Sequence, residues 1–430
     1  MKRLLIISYY WPPTGGSGVQ RWVKFAKYLP LFGWQPVIYT PENPEQLAVD
    51  ESLVSDIPEC AEIIKTRINE PYELYRKLVG GAHKAEGGVN PVNAGKKSFK
   101  QKLALLIRGN CFVPDPRISW LGPSVKYLKN YLKEHPVDAI VSTGPPQSMH
   151  LIARNLKREL GVKWIADFRD PWTKMFSYKH LALLPWVDNK HHKLEQSVLD
   201  EADAIIAVTP GVQADFAKST STPVHLITNG YDEDDFQAAP ERDRARFTIV
   251  HTGLFAADGN PLNLWDALAR KCASDREFRR ALQIKLIGKT DKEIIEALRV
   301  RGLGDNFLDM GYLPHAQTVS AQKGADVLML PLRREPEYAK VYPGKLFEYL
   351  AARRPILGIG QEDGLCAQVL RETSSGLMFD WNSVAPLENF IDEEWERFKL
   401  GDNCPIHSDI SRYSRKQLTG QLIELITGKI

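Results

Sequence analysis

Short apolar runs that each end at a glycine or a polar residue recur along the whole 430-residue chain. The first run, Leu4 to Ser8, leads into a glycine- and proline-rich loop from Tyr9 to Gly18, and a second run spans Val37 to Tyr39. Between the loop and the second run, apolar residues recur at helical spacing: Val19, Trp22, Val23, Ala26 and Leu29. A strand, a glycine loop, a helix and a strand in this order predict a βαβ unit, and open α/β sheets bind ligands where their strands end.

The same rhythm continues through the first half of the chain and restarts after the polar stretch Glu241 to Arg246. The further apolar runs are 138–142, 164–168 and 204–208 in the first half, then 247–251, 284–287, 325–330 and 355–358 in the second. Two such sets predict an α/β protein with two Rossmann-like halves. We place the N-terminal half at residues 1–240 with a flexible insertion at about 65–110, the C-terminal half at 241–408, and a terminal helix at 409–430.

Length and composition narrow the class of protein. A chain of 430 residues is too long for one ordinary core and fits two α/β domains of roughly 200 residues each. The net charge of +3 is too small to indicate a nucleic-acid partner. Five dispersed cysteines show no zinc spacing and fit a reducing compartment, so we expect no disulfide and no metal site. No apolar stretch approaches the ~20 residues of a membrane span, which predicts a cytoplasmic protein, soluble or peripheral at the inner face of the membrane.

One basic segment leaves two interpretations open. Its lysines are Lys96, Lys97, Lys100 and Lys102, and the apolar residues among them that share one helical face are Phe99, Leu103, Leu106 and Ile107. A basic amphipathic helix of this kind lies on membrane surfaces, which predicts peripheral contact with an anionic membrane. A domain helix with a solvated basic face has the same pattern and is the more common case.

The loop Thr14 to Gly18 is the first candidate for chemistry. Gly15, Gly16 and Gly18 let backbone N–H groups approach a phosphate or sugar oxygen, and the helix that starts beside Ser17 adds positive potential at its N-terminus. A plain βα turn has the same composition, so the loop alone does not decide between the two.

The run from Tyr342 to Ala352 is the second candidate. Pro343 and Gly344 end the preceding segment, and a helix is predicted from Lys345, with Glu348 one turn further on the same side. A carboxylate there can accept hydrogen bonds from two ribose hydroxyls, while a lysine and free helix N–H groups can bind a diphosphate. A surface Lys–Glu pair has the same spacing, and spacing alone favours that interpretation.

Further motifs follow the predicted strands and turns. Asn229-Gly230 marks a tight turn that can shape the hinge between the halves. Two carboxylates, Asp167 and Asp170, flank Arg169 after a strand, a pattern that purely structural ion pairs share. His150, after Pro145-Pro146, is another polar candidate, although a lone histidine in such a place is more often structural.

Taken together over nearly the whole chain, these motifs resemble family-4 glycosyltransferases, a large family of retaining enzymes with the GT-B fold. The resemblance lies in the loop from Tyr10 to Arg21, Ala202 to Thr209, Asn229 to Asp232, Ala325 to Pro331, and Lys345 to Pro355. Glu348 takes the position of the ribose-binding glutamate of the family. The GT-B fold implies two Rossmann-like domains with parallel sheets facing across a cleft, and a C-terminal helix that crosses back to the N-terminal domain.

The resemblance implies a retaining hexosyltransferase of surface polysaccharide biosynthesis that needs no metal and no cofactor. A UDP- or GDP-linked sugar would bind mainly to the C-terminal half, and a glycan or lipid-linked acceptor to the N-terminal half. The expected donor-binding residues are Gly16, Gly253, Lys289, Lys340, Pro343, Gly344, Lys345, Leu346 and Glu348. Gly15, Ser17 and Gly18 are expected to bind the acceptor, and Arg169, Asp170 and His150 are the catalytic candidates.

The sequence departs from the family's pattern in three places. Lys340 stands where many members have a second glutamate, eight positions before Glu348. Thr252 to Phe255 lacks the Arg and Lys that many members carry after the first strand of the second domain, and Phe168 to Asp170 replaces a histidine. The candidates for the missing charge are Lys289, Arg333, Arg334, Lys340 and Lys345. Two alternatives stay open: a catalytically inert GT-B partner or binding protein, and a GT-B-like nucleotide-sugar epimerase.

Overall fold

The structure, a computed structural model, describes residues 1–45, 49–70, 106, 109–175, 178–179, 181–240, 242–402 and 405–430. Most of the predicted insertion, nearly all of the basic segment around Phe99, and Cys404 lie outside these residues. The chain divides into two compact units, of which the first comprises Met1–Thr228 and Leu418–Ile430 and the second comprises Asn229–Gln417.

The first unit is built on a parallel sheet. Its described helices and strands are, in chain order, β1 (Lys2–Ile7), α1 (Ser17–Tyr28), β2 (Trp34–Pro41), β3 (Glu62–Thr66), α2 (Leu121–Glu134), β4 (Ala139–Gly144), α3 (Ser148–Leu160), β5 (Trp164–Phe168), α4 (Pro185–Glu201), β6 (Ala204–Ala207), α5 (Pro210–Ala217) and β7 (Val224–Leu226). The strand order is β3-β2-β1-β4-β5-β6-β7, and every neighbouring pair is parallel.

The apolar runs of the sequence become strands that are buried on both faces. On β1, Leu4 and Ile6 pack into one apolar cluster, while Leu5 and Ile7 pack into another. Alternate residues of a strand point to opposite faces of the sheet, so an uninterrupted apolar run is what a sheet covered by helices on both sides requires.

The order of the strands reverses between β1 and β4. The chain builds the sheet outward from β1 through β2 to β3, and then returns to place β4 on the other side of β1. The loops that follow β1 and β4 therefore leave the sheet edge in opposite directions, which opens a crevice where α/β folds bind ligands. The loop with Gly15 to Gly18 follows β1 at this point.

The second unit repeats the plan. Its described helices and strands are β8 (Phe247–Thr252), α6 (Leu262–Ser274), α7 (Arg276–Ala281), β9 (Leu282–Ile287), α8 (Lys292–Val300), β10 (Phe307–Gly311), α9 (His315–Gly324), β11 (Val327–Pro331), α10 (Gly344–Ala352), β12 (Ile356–Ile359), α11 (Leu365–Glu372), β13 (Gly376–Phe379) and α12 (Ala385–Lys399). The parallel sheet has the order β10-β9-β8-β11-β12-β13. Its order reverses between β8 and β11, which puts the second crevice at the ends of these two strands.

The last helix, α13 (Arg415–Thr427), starts in the second unit and ends in the first. Its buried residues Leu418, Leu422, Leu425 and Ile426 join the cluster that contains Leu4 and Trp22. Near its end, Lys163 Nζ donates to the Ile426 carbonyl at 2.7 Å. Two Rossmann-like halves and a terminal helix that returns to the first half are thus confirmed.

Candidate functional site

Two glycines shape the carboxyl edge of the second sheet. Gly253 follows β8 with a φ of 89°, and Gly288 follows β9 with a φ of 116°, conformations that residues with side chains rarely adopt. The Gly253 N–H donates to the Ile287 carbonyl at 2.7 Å, and any side chain at Gly288 would overlap the Gly253 backbone. The two strand ends therefore lie against each other with bare backbone at the edge.

The ammonium group of Lys345 lies over Gly253. Lys345 is the second residue of α10, whose N-terminus follows Pro343 without a side-chain cap. Its Nζ is 2.8 Å from His251 Nε2 and donates to the Leu254 carbonyl at 3.3 Å, and it is 3.6 Å from the position that a Cβ on Gly253 would occupy. A cationic side chain and the positive end of a helix thus meet at one point of the sheet edge, an arrangement that suits a phosphate group.

Burial sets the charges of this pair. It lowers the pKa of Lys345 to about 8, against the opposing effect of the Glu348 carboxylate. Burial and the neighbouring Lys345 charge also hold the pKa of His251 well below its usual value. His251 is therefore neutral near pH 7 and accepts a hydrogen bond from the Lys345 ammonium.

Glu348 is oriented by a side chain of α9. Gln322, a fully buried residue of α9, donates through Nε2 to Glu348 Oε2 at 3.0 Å and to Thr252 Oγ1 at 3.1 Å. Tyr349 Oη accepts from the Thr252 backbone N–H at 2.9 Å, which ties α10 to the end of β8. A carboxylate has room for several donors, so the contact with Gln322 fixes Glu348 and leaves it able to accept hydrogen bonds from ligand hydroxyls.

The other residues predicted to bind the donor lie at the start of α10 or on exposed loops. Pro343 is the N-cap residue of α10, Gly344 is its first residue, and Leu346 packs into the core of the second unit. Lys289 follows β9 and Lys340 ends a short 3-10 helix, and both side chains are exposed.

The two arginines proposed for the missing charge have protein partners. Arg333 pairs with Asp258 at 3.2 Å, and the Arg334 guanidinium lies 5.4 Å from the centre of the Trp381 ring. Lys345 is the candidate that the structure brings directly over Gly253.

The loop after β1 in the first unit ends at the N-terminus of α1. Gly15 and Gly16 lead into the helix, Gly16 with a φ of 116°, and Ser17 is its first residue, whose side chain is outside the described part. Any side chain at Gly18 would overlap the guanidinium of Arg169. A side chain at position 18 would therefore displace the Arg169 guanidinium from the first turn of α1.

Arg169 and Asp170 follow β5 and reach the same edge. The Arg169 backbone N–H donates to the Gly144 carbonyl at 3.0 Å, and its guanidinium donates to the Pro145 carbonyl. Desolvation raises the pKa of Asp170 in spite of the neighbouring Arg169 charge, although the side chain remains accessible to solvent. The structure thus brings together two of the three catalytic candidates, an arginine and a carboxyl group, beside the glycine loop.

His150 lies inside the packed unit. It is fully buried, with Nδ1 2.8 Å from Ser142 Oγ and its ring stacked on Phe168 at 4.6 Å. Ser142 Oγ also accepts from Trp164 Nε1 at 2.8 Å, so the serine hydroxyl links His150 to β5. Burial lowers the pKa of His150 to about 3, so this third candidate is a neutral interior residue.

The Asp167 carboxylate is held in a buried network of hydrogen bonds. Arg21 donates to it through Nη2 at 2.8 Å and Nε at 3.2 Å, Trp22 Nε1 donates at 2.7 Å, and Thr143 Oγ1 donates at 2.9 Å. Burial alone would raise the pKa of Asp167, but Arg21 and the other donors outweigh it and lower the pKa. This network fixes α1 to β4 and β5, and so supports the loop and Arg169.

The described residues contain neither a cluster of metal ligands nor a membrane-spanning helix. No group of three or more His, Cys, Asp or Glu side chains in this part of the chain is arranged to hold a metal ion. Of the helices that the structure describes, none is both long and apolar enough to cross a membrane.

Known proteins resemble the chain in sequence and in fold. Residues 92–235 match the family model of Glycosyltransferase Family 4, while no curated protein sequence matches. Sucrose-phosphate synthase from Thermosynechococcus elongatus is 15% identical with a TM-score of 0.61, over 100% of this chain and 99% of that chain. Anabaena HepE in complex with UDP is 13% identical with a TM-score of 0.63, over 100% of both chains. WaaG, a glycosyltransferase involved in lipopolysaccharide biosynthesis, is 14% identical with a TM-score of 0.55, over 99% of this chain and 100% of that chain.

The solved structures establish the fold of the whole chain as GT-B. The family model adds a match in sequence over residues 92–235, which lie mainly in the first unit. The chain therefore has the GT-B fold, and residues 92–235 resemble Glycosyltransferase Family 4 in sequence. The resemblance to family-4 glycosyltransferases that the sequence motifs indicated is confirmed.

The sequence did not reveal His251 or Gln322. His251 lies near the carboxyl end of a buried strand. Ligands bind at such strand ends, and this place in the sequence is the one feature that could have drawn attention to His251. Gln322 lies 26 residues before Glu348 on another helix, and no spacing rule relates the two.

Proposed function

We propose that the chain is a hexosyltransferase that moves a sugar from a UDP- or GDP-linked donor to a glycan or lipid-linked acceptor. The observation that carries this proposal is the arrangement on α10, where Lys345 lies over Gly253 and Glu348 is held by Gln322. Lys345 provides a cation, which a diphosphate requires. Glu348 provides a fixed pair of hydrogen-bond acceptors, which the hydroxyls of a ribose require.

The donor would bind along the first turn of α10. The ribose hydroxyls of the donor would donate hydrogen bonds to Glu348. Its diphosphate would lie against Lys345 and the uncapped N–H groups that follow Pro343. As the sugar leaves, negative charge grows on the diphosphate, and preorganised positive groups at that point lower the barrier. We therefore propose that transfer needs neither a divalent cation nor a cofactor.

The acceptor would bind to the first unit beside the glycine loop. The exposed N-terminus of α1, the Arg169 guanidinium and the Asp170 carboxyl group lie together there. Such a set of donors and acceptors can orient a sugar hydroxyl for attack. The likeness of fold to WaaG supports a role in surface polysaccharide biosynthesis.

Retention of the anomeric configuration is the stereochemical part of the proposal, and it rests on the resemblance to family 4. The product linkage, read by NMR from the anomeric proton at early times, is expected to keep the configuration of the donor. An inverted product would rule out this part and leave the donor assignment intact.

A thermal-shift panel tests the proposal. UDP, GDP, CDP, ADP and their sugars would be added to the wild type and to Glu348→Ala. A ligand that binds only the folded protein adds about 2.7 kcal/mol of stability at a hundredfold excess over its dissociation constant, so a donor gives a clear shift. We expect a shift selective for one base in the wild type that Glu348→Ala loses. No shift with any nucleotide would contradict the donor site.

We also propose that the protein makes peripheral contact with the anionic inner face of the cytoplasmic membrane. Leu184 and Trp186 at the start of α4 are 42% and 63% exposed. Lys190 and Lys193, which follow Trp186 by one and two helical turns, are also exposed. Asn110 Nδ2 donates to the Leu106 carbonyl at 2.8 Å and Asn110 Oδ1 accepts from the Leu184 N–H at 2.7 Å, so this patch adjoins Leu106, an apolar residue of the basic segment. Interfacial Trp beside Lys is typical of membrane-surface contact.

Sedimentation with vesicles tests this contact. The wild type is expected to bind vesicles of phosphatidylglycerol and phosphatidylcholine but not pure phosphatidylcholine, and Trp186→Ser with Lys190→Glu is expected to reduce binding. Tyr312→Ser, at a residue of the second unit that is 69% exposed, serves as the control. Equal binding of all three proteins, or none by the wild type, would exclude the patch.

A catalytically inert partner is the second candidate function, because Lys340 stands where many family members have a glutamate. Such a protein would bind a nucleotide without turnover. Tight nucleotide binding with neither transfer nor hydrolysis, together with a partner transferase that is indifferent to Glu348→Ala, would favour it over the enzyme.

A further inference from the structure

The proposed function leaves His251 unexplained, although this residue lies at the edge of the second sheet where the donor would bind. It is the penultimate residue of β8, is 1% exposed, and stacks on Phe255 with ring centres 4.2 Å apart. Its Nε2 is 2.8 Å from Lys345 Nζ. Because the ammonium is the donor, Nε2 must accept, and the ring proton of the neutral imidazole is on Nδ1.

The Nδ1–H is buried and has no hydrogen-bond partner among the described residues. A buried donor without a partner costs stability, and a phenylalanine would fill the same space without that cost. Packing against Phe255 therefore does not account for a histidine here. The contact that a phenylalanine could not make is the one between Nε2 and Lys345.

That contact determines where the ammonium lies. A lysine side chain has four rotatable bonds and would otherwise extend into solvent. His251 Nε2 and the Leu254 carbonyl together hold Nζ above Gly253, and two of its three N–H groups are directed at them. The third remains to meet a ligand at the edge where β8 and β9 end.

We propose that His251 is a positioning residue, which holds Lys345 over Gly253 so that the ammonium receives the diphosphate of the donor. In this chain the pair would replace the Arg and Lys that the segment Thr252 to Phe255 lacks. The inference rests on the proposed function, because it assumes a nucleoside diphosphate at this edge. His251 does not touch the ligand and acts through Lys345.

Calorimetric titration with UDP and GDP, and with uridine and guanosine as probes without phosphate, tests the inference. His251→Phe keeps the ring and its stack but removes the acceptor, and is expected to weaken nucleoside diphosphate binding about tenfold, the effect of one hydrogen bond to a charged group. Nucleoside binding is expected to stay within about twofold. His251→Gln, whose side-chain oxygen can accept from Lys345, is expected to restore most of the affinity.

A pH profile separates positioning from a general loss of structure. Without the acceptor, Lys345 extends toward solvent and escapes the burial that lowers its pKa. The alkaline decline of diphosphate affinity is therefore expected to begin at higher pH in His251→Phe than in the wild type. His407→Gln replaces an exposed histidine of the same unit and is expected to behave as the wild type. Thermal unfolding of each variant shows whether it is folded, and His251→Leu is the substitute if His251→Phe is not.

The outcomes distinguish the two proposals. A wild type that binds no nucleoside diphosphate would overturn the proposed function, and this inference with it. A wild type that binds one, while the folded His251→Phe or His251→Leu variant binds it equally well or loses nucleoside affinity in the same proportion, would overturn the role of His251 alone.

Discussion

Lys345 combines a charge with an enclosed position. Burial lowers its pKa to about 8, whereas the Glu348 carboxylate favours the charged form. His251 stays neutral and accepts a hydrogen bond from the ammonium. The ammonium is therefore the main form near pH 7 and is lost as the pH rises through about 8. A diphosphate would raise the pKa again, because it stabilises the charged form.

The lowered pKa of Lys345 predicts that donor binding depends on pH. We expect the affinity for the nucleoside diphosphate to be constant from about pH 6.5 to 7.5 and to fall above pH 8 by up to about tenfold per unit, since binding must take up one proton. Calorimetry in buffers of different ionisation enthalpy measures that proton. Lys345→Arg keeps its charge at all these pH values and is expected to remove the alkaline decline. A decline that persists unchanged in Lys345→Arg would assign it to another group.

The close contact between Gly18 and Arg169 leads to a prediction for acceptor binding. An alanine there would overlap the Arg169 guanidinium, so Gly18→Ala is expected to displace Arg169 and raise the KM for the acceptor about tenfold or more, with donor affinity unchanged. Gly122→Ala is a matched control, because Gly122 is also the second residue of a helix and a Cβ there would meet open space. Steady-state kinetics with each substrate varied would measure both. An unchanged acceptor KM would remove Arg169 from the site.

At the scale of secondary structure, much of the fold could be predicted from the sequence. Strands buried on both faces appear as unbroken apolar runs, as in Leu4 to Ile7, and Pro343-Gly344 marks the start of α10. The pairings between elements could not be predicted in the same way. Gln322 reaches Glu348, and His251 reaches Lys345, because the strand order brings α9, α10 and β8 together, and that order has no local trace in the sequence.

The helix α13 offers a test of its own. Leu422 is fully buried in the core of the first unit, so Leu422→Ala is expected to cost about 2–5 kcal/mol of stability through lost burial and a cavity. Glu424→Ala, on the exposed side of the same helix, is expected to change stability by less than about 0.5 kcal/mol. Denaturant unfolding of both variants measures the difference. Equal stabilities would mean that the helix contributes little to this core.

At the scale of the whole molecule, the proposed donor site around Lys345 and the proposed acceptor site around Arg169 lie on different units. In this proposal, protein side chains and backbone supply the positive charge for the diphosphate. We therefore expect transferase activity to survive dialysis against EDTA within about twofold, and added Mg²⁺ or Mn²⁺ to leave kcat unchanged. Such an assay uses the donor found in the nucleotide panel. A loss of activity on chelation that Mn²⁺ restores would contradict metal-independent transfer.

The return of α13 to the first unit has a consequence for how the protein is made. A ribosome delivers Met1–Thr228 first and Leu418–Ile430 after the entire second unit. The apolar surface that receives Leu422 stays uncovered during that interval, while the second unit has all of its residues once Gln417 has emerged. Of these two units, the one that is translated first is therefore completed last, and a nonsense mutation just after Gln417 would remove part of the core of the first unit while leaving the second with all of its residues.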